Sequence, residues 1–480
     1  MLPHHDGSGL YVPDQAPGLG DTVDVFVRVP ATAGVDRVHV RTTPDGEPRF
    51  VEVRPDRRVG DETWWRARVG VRNPVTTYHR YDASAFDRVD PLLGGDAALA
   101  RLADAVHARG WRLLGDVTSN HTGDGHDWFV AATADGSAPE RELYYFDPAG
   151  GDYESWNGVK TLPKLNWASA ELRRRFAGAA DSVVRRWLRP PYGLDGWRVD
   201  VANMTGRRGA DAYTHEVAAL LRAVVTEVRA DALLMAEHGH DHTGDLDRGG
   251  WHGTMNYTGF TDPLLRWLRA GDRPLPTFLG TPGGIRRQGA DAMLATMAAY
   301  RSLVSWRACA HSWQLLGSHD SARSRTVVGD AARQEVAAGM LATMPGIPMV
   351  YAGDEWGLTG VNGEDSRTPM PWDRPERRDA ATFAAYRSLL GLHRAEPALR
   401  YGGLRFAHAD ADTVVFLRET ADDALLVLAR RAPGRPVRLA GLPGTGDATN
   451  LYGGAALRPA SDGTVELPAD GPTFQVWRLS

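Results

Sequence analysis

LDGWRVDVA, residues 194–202, is the stretch on which the fold turns. It is a short apolar run with glycine at its head and an acid near its end, the build of a buried strand. On a strand, residues two apart share a face, so Arg198 and Asp200 point one way while Val199 and Val201 face an apolar layer. Four other runs have the same build: WRLLGDV (111–117), DALLMAE (231–237), WQLLGSHD (313–320) and IPMVYAGDE (347–355). Each closes on acid, at Asp116, Glu237, Asp320, and Asp354 with Glu355. Between them lie segments of helical period: DAALARLADAVHARG, ASAELRRRFAGAADSVVRRWL, AYTHEVAALLRAVVTEVRA and DAARQEVAAGMLATM. Strand and helix in alternation predict parallel βαβ units, hence an α/β fold. A (β/α)8 TIM-type barrel would gather all these acidic strand ends on one face. A doubly wound sheet also binds ligands at strand C-termini. The chain has no GxGxxG or GxxxxGK[ST] loop to hold a nucleotide, and the barrel is preferred.

Texture changes on either side of this region. Residues 1–77 hold short alternating runs (VDVFVRVP, RVHVRTT, RFVEVRP, TWWRARVGV) and predict a truncated β-sandwich-like module. Within it, Trp64-Trp65 is expected to pack in a core rather than to stack on a ligand. Residues 78–395 form the predicted barrel. An insertion at about 122–167 is far longer than a usual strand-to-helix connection of about 2–6 residues. Residues 396–480 return to strands (TVVFLRE, ALLVLARR, TVELP, FQVWRL), a C-terminal β-sandwich.

Composition excludes several classes. At 480 residues the chain is long enough for a barrel with flanking modules. A net charge of −5 gives no basic face for nucleic acid and no attraction to a membrane surface. The single cysteine, Cys309, cannot form a disulfide within the chain. Met1-Leu-Pro-His-His-Asp-Gly carries neither the positive nor the apolar part of a signal peptide, and the expectation is a cytoplasmic protein.

The acids carry the chemistry. A guanidinium beside Asp200 would keep it ionised and ready to attack, although the same pair reads equally well as a structural ion pair at a strand end. Glu237 leaves a hydrophobic strand near another carboxylate, an environment that raises a carboxyl pKa and suits a general acid. His238-Gly239-His240 after it also admits a zinc reading, but no second ligand pair completes a set. Asp320 follows His319, and Asn120-His121 follow Asp116. Several like charges at one barrel face are costly to bury unless a site uses them.

These segments resemble the conserved regions of the α-amylase superfamily, glycoside hydrolase family 13. DVTSNH (116–121), GWRVDVANM (196–204), MAEHGHD (235–241) and LLGSHDSAR (315–323) are similar to its first to fourth regions. LPKLNW (162–167) is similar to the segment closing its inserted domain B, and NGEDSRTPMPWD (362–373) to the loop after the eighth strand. The resemblance implies hydrolysis of α-1,4 or α-1,6 glucosidic bonds with retention. Asp200 would be nucleophile, Glu237 acid/base and Asp320 the carboxylate that grips and distorts the sugar. It implies substrate binding by Asp116, His121, Arg198, His319, Arg323 and Tyr81. It implies no required cofactor and no catalytic metal, with a structural calcium ion left open. The wording is nearest to the neopullulanase, cyclomaltodextrinase and α-glucosidase subgroups, for which a homodimer is expected. Transglycosylation or isomerisation through the same intermediate stays open.

One departure is expected. HRYDASAFDRVDP (79–91) is similar to the loop after the family's second strand, yet few residues separate it from TWWRARVGV, which ends at Val71. A βαβ unit takes about 30 residues. The first two barrel strands are therefore expected to be absent, along with a tyrosine platform and a calcium site that follow the first strand in the family. The junction Val75-Thr76-Thr77-Tyr78 has no linker chemistry and favours a deletion. Closure by dimerisation, or by the N-terminal sandwich, is the alternative.

Overall fold

The computed structural model describes residues 20–42, 49–71, 83–148, 151–209, 211–239, 249–271, 286–442, 448–457 and 459–479, with isolated residues and short pieces between them and near the N-terminus. Strands β1 (Thr22–Pro30), β2 (Val38–Thr42), β3 (Arg49–Val59) and β4 (Glu62–Gly70) make an antiparallel sheet in the order β1-β4-β3-β2. Trp64 is buried there, stacked on Tyr11 at 5.4 Å and packed against Phe26. The Trp64 indole is thus core, as its size predicts.

Helix α1 (Gly95–His107) leads into the parallel region. Its strands are β5 (Gly115–Thr118), β6 (Gly196–Asp200), β7 (Leu233–Ala236), β8 (Gly253–Thr254), β9 (Trp313–Leu315) and β10 (Ile347–Met349). Each pairs in parallel with the next along the chain, the β8-to-β9 step being a single bridge between Met255 and Trp313. Five of the six are the apolar runs that end in acid. The sixth, β8, is two residues long in HGTMN, too short to leave an apolar signal. The register sets Asp116 opposite Arg198 and Thr118 opposite Asp200, and so brings two acidic strand ends onto one cation.

Val117, Val199, Leu234 and Ala236 point outward into a core with Trp167, Trp187, Trp197 and helix α2 (Thr214–Val228). Strand packing is tight enough to require glycine at position 196. Its φ is +146°, and a Cβ there would lie 2.0 Å from the Leu233 carbonyl oxygen. The segment expected to be one long helix at 168–188 is broken instead into Ala170–Arg173, a widened turn at Arg174–Gly178, and Val183–Leu188. Ser182 Oγ donates to the Ala177 carbonyl, a side-chain bond that competes with helix continuation just past Gly178.

Strands β11 (Gly403–Ala409), β12 (Thr413–Glu419), β13 (Ala424–Arg430), β14 (Val437–Leu439), β15 (Thr449–Tyr452), β16 (Val465–Leu467) and β17 (Thr473–Leu479) follow the parallel region. Five of them form one sheet, β11-β12-β13-β17-β15, and β14 pairs with β16. The sheet is apolar on both faces, as the unbroken runs in the sequence require. Val414, Phe416, Val427 and Val476 pack towards helix α3 (Ala331–Thr343), while Val415, Leu417, Leu428 and Trp477 pack towards β14 and β16.

Among the described residues, β5 and β10 each have a strand partner on one side only. Beside β5 lies a cavity of about 540 Å³ lined by Leu99, Leu102, Leu113, Leu114 and Trp187, and reaching Asp116 and Asp200. The junction at 75–78 and Tyr81 lie outside the described residues.

Gly196→Ala is expected to cost at least about 2 kcal/mol, combining left-sided backbone strain with the clash on Leu233. Urea unfolding of the variant against the parent protein measures it.

Candidate active site

Arg198 organises the site. Its Nη1 donates to Asp200 Oδ1 at 2.6 Å and to both Asp116 oxygens at 3.0 Å. Its Nη2 lies 3.2 Å from Glu237 Oε2. Asp200 and Glu237 thus sit on neighbouring nitrogens of one guanidinium, no further apart than two short contacts and the width of that group. Three carboxylates around a buried cation drive the Arg198 pKa well above its ordinary value, even though burial pulls the other way.

The two catalytic candidates are held differently. Asp200 is buried, receives Arg198 on Oδ1, and accepts a 3.3 Å hydrogen bond from Thr118 Oγ1 on Oδ2. Glu237 leaves the end of β7, and burial pushes its pKa up to about 7. Arg198 and the Val201 N–H oppose that push, while the Asp200 charge adds to it. Val201 N donates to Glu237 Oε2 at 2.8 Å. With Oε2 taken by that N–H and by Arg198, Oε1 is the oxygen left to carry a proton. A carboxylate and a carboxylic acid side by side are the pair that acid-assisted nucleophilic displacement needs.

Val201 does not continue the strand into the apolar layer as the alternation predicts. Its φ is +49°, a left-handed conformation unusual for a β-branched residue. The turn aims the Val201 N–H at Glu237, so the strain sits where the site gains a contact.

Asp320 follows β9. Its Oδ2 lies 3.1 Å from His319 Nε2, and its Oδ1 accepts from Arg367 Nη2 at 3.1 Å. Burial alone would raise its pKa, but the His319 hydrogen bond and the charges of His319 and Arg367 hold it below the usual carboxylate value. Its charge is felt at Glu237. His121 is buried and stacked on Trp156 at 5.6 Å, and its Nδ1 accepts from Asn120 Nδ2 at 3.0 Å. Burial, helped by Lys164, lowers its pKa to about 4 against the pull of Asp200. The ring is therefore neutral, with Nε2–H to offer a hydroxyl.

The expected residues do not all converge. Asp116, His121, Arg198, Asp200, Glu237, His319 and Asp320 share one neighbourhood through the contacts above. Arg323 does not join them. Its guanidinium is 1% exposed and donates to Asp354 Oδ1 at 2.9 Å and to the Ser366 carbonyl at 2.8 Å. The Arg323–Asp354 pair is a buried prop under the loops of β9 and β10. Four other residues reach the site without having been singled out. Trp156 and Lys164 come from the insertion, Tyr257 follows β8, and Arg367 lies in the loop after β10. Lys164 Nζ donates to Asn120 Oδ1 at 2.6 Å and to the Met204 carbonyl at 3.1 Å, tying the insertion to the loops after β5 and β6. Burial lowers its pKa to about 8. The motifs PKLN and NGEDSR carry two of these side chains, whereas Tyr257 follows the strand that left no signal. Among the described residues, no group of three or more His, Cys, Asp and Glu side chains could hold a metal ion.

A barrel-type parallel sheet with this set of acids at its strand ends defines a carbohydrate-active class, and comparison agrees. Residues 71–395 match the family profile described as "Alpha amylase, catalytic domain", and the chain belongs to the α-amylase family. The fold is accordingly a TIM barrel with β-rich flanking regions. The chain is 28% identical over 386 residues to "Neopullulanase 2" of Thermoactinomyces vulgaris, covering 78% of this chain and 61% of that protein. It is 30% identical over 370 residues to a "Cyclomaltodextrinase" of Bacillus sp, covering 74% and 60%. Among solved structures it resembles the cyclic α-maltosyl-(1→6)-maltose hydrolase of Arthrobacter globiformis, with TM-score 0.68 and 27% identity over 84% of this chain and 83% of that one. The chain thus spans about 60% of the length of the curated relatives it matches. No helix among the described residues is long and apolar enough to cross a membrane.

A carboxyl held at about 7 when folded, against an ordinary 4.5, binds its proton more tightly in the native state. Native stability then declines as pH rises from the ordinary value to about 7. Glu237→Gln should therefore stabilise the protein by about 1–3 kcal/mol at pH 8 and leave it unchanged at pH 4. Urea titrations at the two pH values measure the difference. Arg323→Ala should cost about 3–5 kcal/mol by stranding the Asp354 charge, with no change in ligand affinity by isothermal titration of the folded variant.

Proposed function

We propose that this chain is a retaining α-glycosidase acting on α-1,4, and also α-1,6, glucosidic bonds of maltodextrins and short oligosaccharides. The observation that carries the reading is the shared guanidinium: Asp200 and Glu237 lie on one cation, with Glu237 held protonated up to about pH 7. In the first step Asp200 attacks the anomeric carbon, the glycosidic C–O bond breaks, and Glu237 passes its proton to the departing oxygen. In the second step Glu237, now a carboxylate, takes a proton from water. The oxygen of that water displaces Asp200, giving a product with the starting anomeric configuration. Asp320 grips the ring hydroxyls, and His121 and His319 donate to others. Arg198, itself held by Asp116, aims Asp200. This chemistry needs carboxyl groups and water only, so the proposal includes no cofactor.

The names of the relatives, a neopullulanase and a cyclomaltodextrinase, support the substrate class. The proposal extends to three modules (1–77, 78–395 and 396–480), a homodimer and a cytoplasmic location, with no nucleic-acid or membrane partner. Transglycosylation through the same covalent intermediate is distinguished from hydrolysis by product analysis alone.

A second reading is favoured by one feature. Beside β5 the Asp116 side chain is 53% exposed, and the 540 Å³ cavity reaches Asp200 from the flank. A barrel lacking its first two strands would leave that flank open. A displacement of the catalytic groups by about 1 Å then costs roughly a hundredfold in rate, leaving a glycan-binding protein of low activity.

Assay of the 480-residue protein with maltotriose, pullulan and p-nitrophenyl α-glucoside decides. Turnover with retained configuration by NMR, and at least a thousandfold loss in Asp200→Asn, is the expected result. Binding of maltotriose without turnover would support the second reading. Full activity in Asp200→Asn would overturn the nucleophile assignment.

A further inference from the structure

Next to the catalytic acid lies a buried carboxylate that the mechanism does not use. Asp245 is 4% exposed and stands on the loop after β7, eight residues beyond Glu237. It gathers three cationic or ring N–H groups from three places. His238 Nε2, on the residue immediately after Glu237, is 2.8 Å from Oδ2. Arg207 Nη2, on the loop after β6, donates to the same oxygen at 3.3 Å. His215 Nδ1, in the first turn of α2, is 3.3 Å from Oδ1. His242 packs edge-on to His238 with centroids 6.2 Å apart and is also buried. An ordinary loop has no need to bury an acid among three such partners, because desolvation is offset only when the geometry is well made.

The partners explain the arrangement. The loop after β6 begins at Val201, whose N–H holds Glu237 Oε2. The same loop is stitched to β5's end by the buried Ser119 Oγ–Thr205 Oγ1 contact at 2.7 Å, and to α2 by Thr214 Oγ1 donating to the Thr205 carbonyl at 2.9 Å. Asp245 therefore closes a ring: Glu237 to Val201, along the loop to Arg207, across to Asp245, and back through His238 to Glu237. Through His215 the ring is also fixed to the helix that spans from β6 to β7.

We propose that Asp245 is a positioning residue, a brace that fixes the strand end bearing the acid/base against the loop that follows the strand bearing the nucleophile. The proposal rests on the glycosidase reading for its catalytic meaning, but the brace itself is testable without turnover. If it holds Glu237 against the Val201 N–H and Arg198, loosening it removes the two contacts that favour the Glu237 anion and leaves burial unopposed. The Glu237 midpoint then rises. Direct loss of the nearby Asp245 charge has the opposite sign and would lower it, so the direction of the shift separates a brace from a simple electrostatic effect.

The midpoint is read from the pH dependence of the stability difference between proteins with and without Glu237→Gln. Asp245→Asn should raise it by at least half a pH unit. Arg207→Met, which removes one half-exposed arm, should raise it as well, but losing a cation raises a carboxyl midpoint directly, so the direction in Asp245→Asn decides. His238→Gln, whose amide can still donate to Asp245, should leave it in place. In a protein that turns over maltotriose, Asp245→Asn should also lower kcat at least tenfold with KM within about threefold, and His238→Gln should retain most of the rate. A lowered or unmoved midpoint in Asp245→Asn would overturn the brace, whatever the loss of Tm. Absence of turnover in the parent protein would count against the glycosidase reading alone, the midpoint still deciding the brace.

Discussion

One cation holds this site together. Arg198 is buried with carboxylates from three successive strand ends around it, and burying Asp200 and Glu237 without it would be prohibitive. Its position follows from strand geometry. Alternation puts it on the same face as Asp200, and the parallel register with β5 sets Asp116 directly opposite. The charge balance does the rest. One positive group cannot neutralise three acids, and burial, with the Asp200 charge added, raises the Glu237 carboxyl to about 7.

Around that centre the supports are polar and cross-linked. Lys164 joins the insertion to the loops after β5 and β6, Arg367 holds Asp320, and the Arg323–Asp354 pair stiffens the far side. Their common effect is to fix the loops around the acidic strand ends, which is where preorganisation would matter most.

Much of this was legible in the sequence. Runs such as GWRVD and LLMAE fix strand, face and acidic terminus together, because burial on both sides leaves no ambiguity of period. The insertion was legible from the length of its connection, and the C-terminal strands from their apolar runs. What escaped notice depends on contacts far apart in the chain. The short strand at Gly253–Thr254 has no apolar run, and its neighbour Tyr257 went with it. Arg323 reads like a site residue from its motif, but its direction is set by Asp354, thirty-one residues away. The break in the helix at 168–188 depends on one serine bonding backwards to Ala177. Val201 turned left-handed against its own preference because Glu237 claims its N–H.

The double-sided sheet at the C-terminus has a consequence for how the molecule can be cut. Val414, Phe416, Val427, Phe474 and Val476 share a single apolar cluster with Val336, Met340 and Leu341 of α3, and Gly339 is pressed so closely against the Phe474 ring that no side chain fits between them. The matched catalytic segment ends at residue 395, but its last helical layer is finished by residues beyond that point. A fragment trimmed there would present that layer to water as a greasy scar, and would be an aggregating species rather than a minimal enzyme.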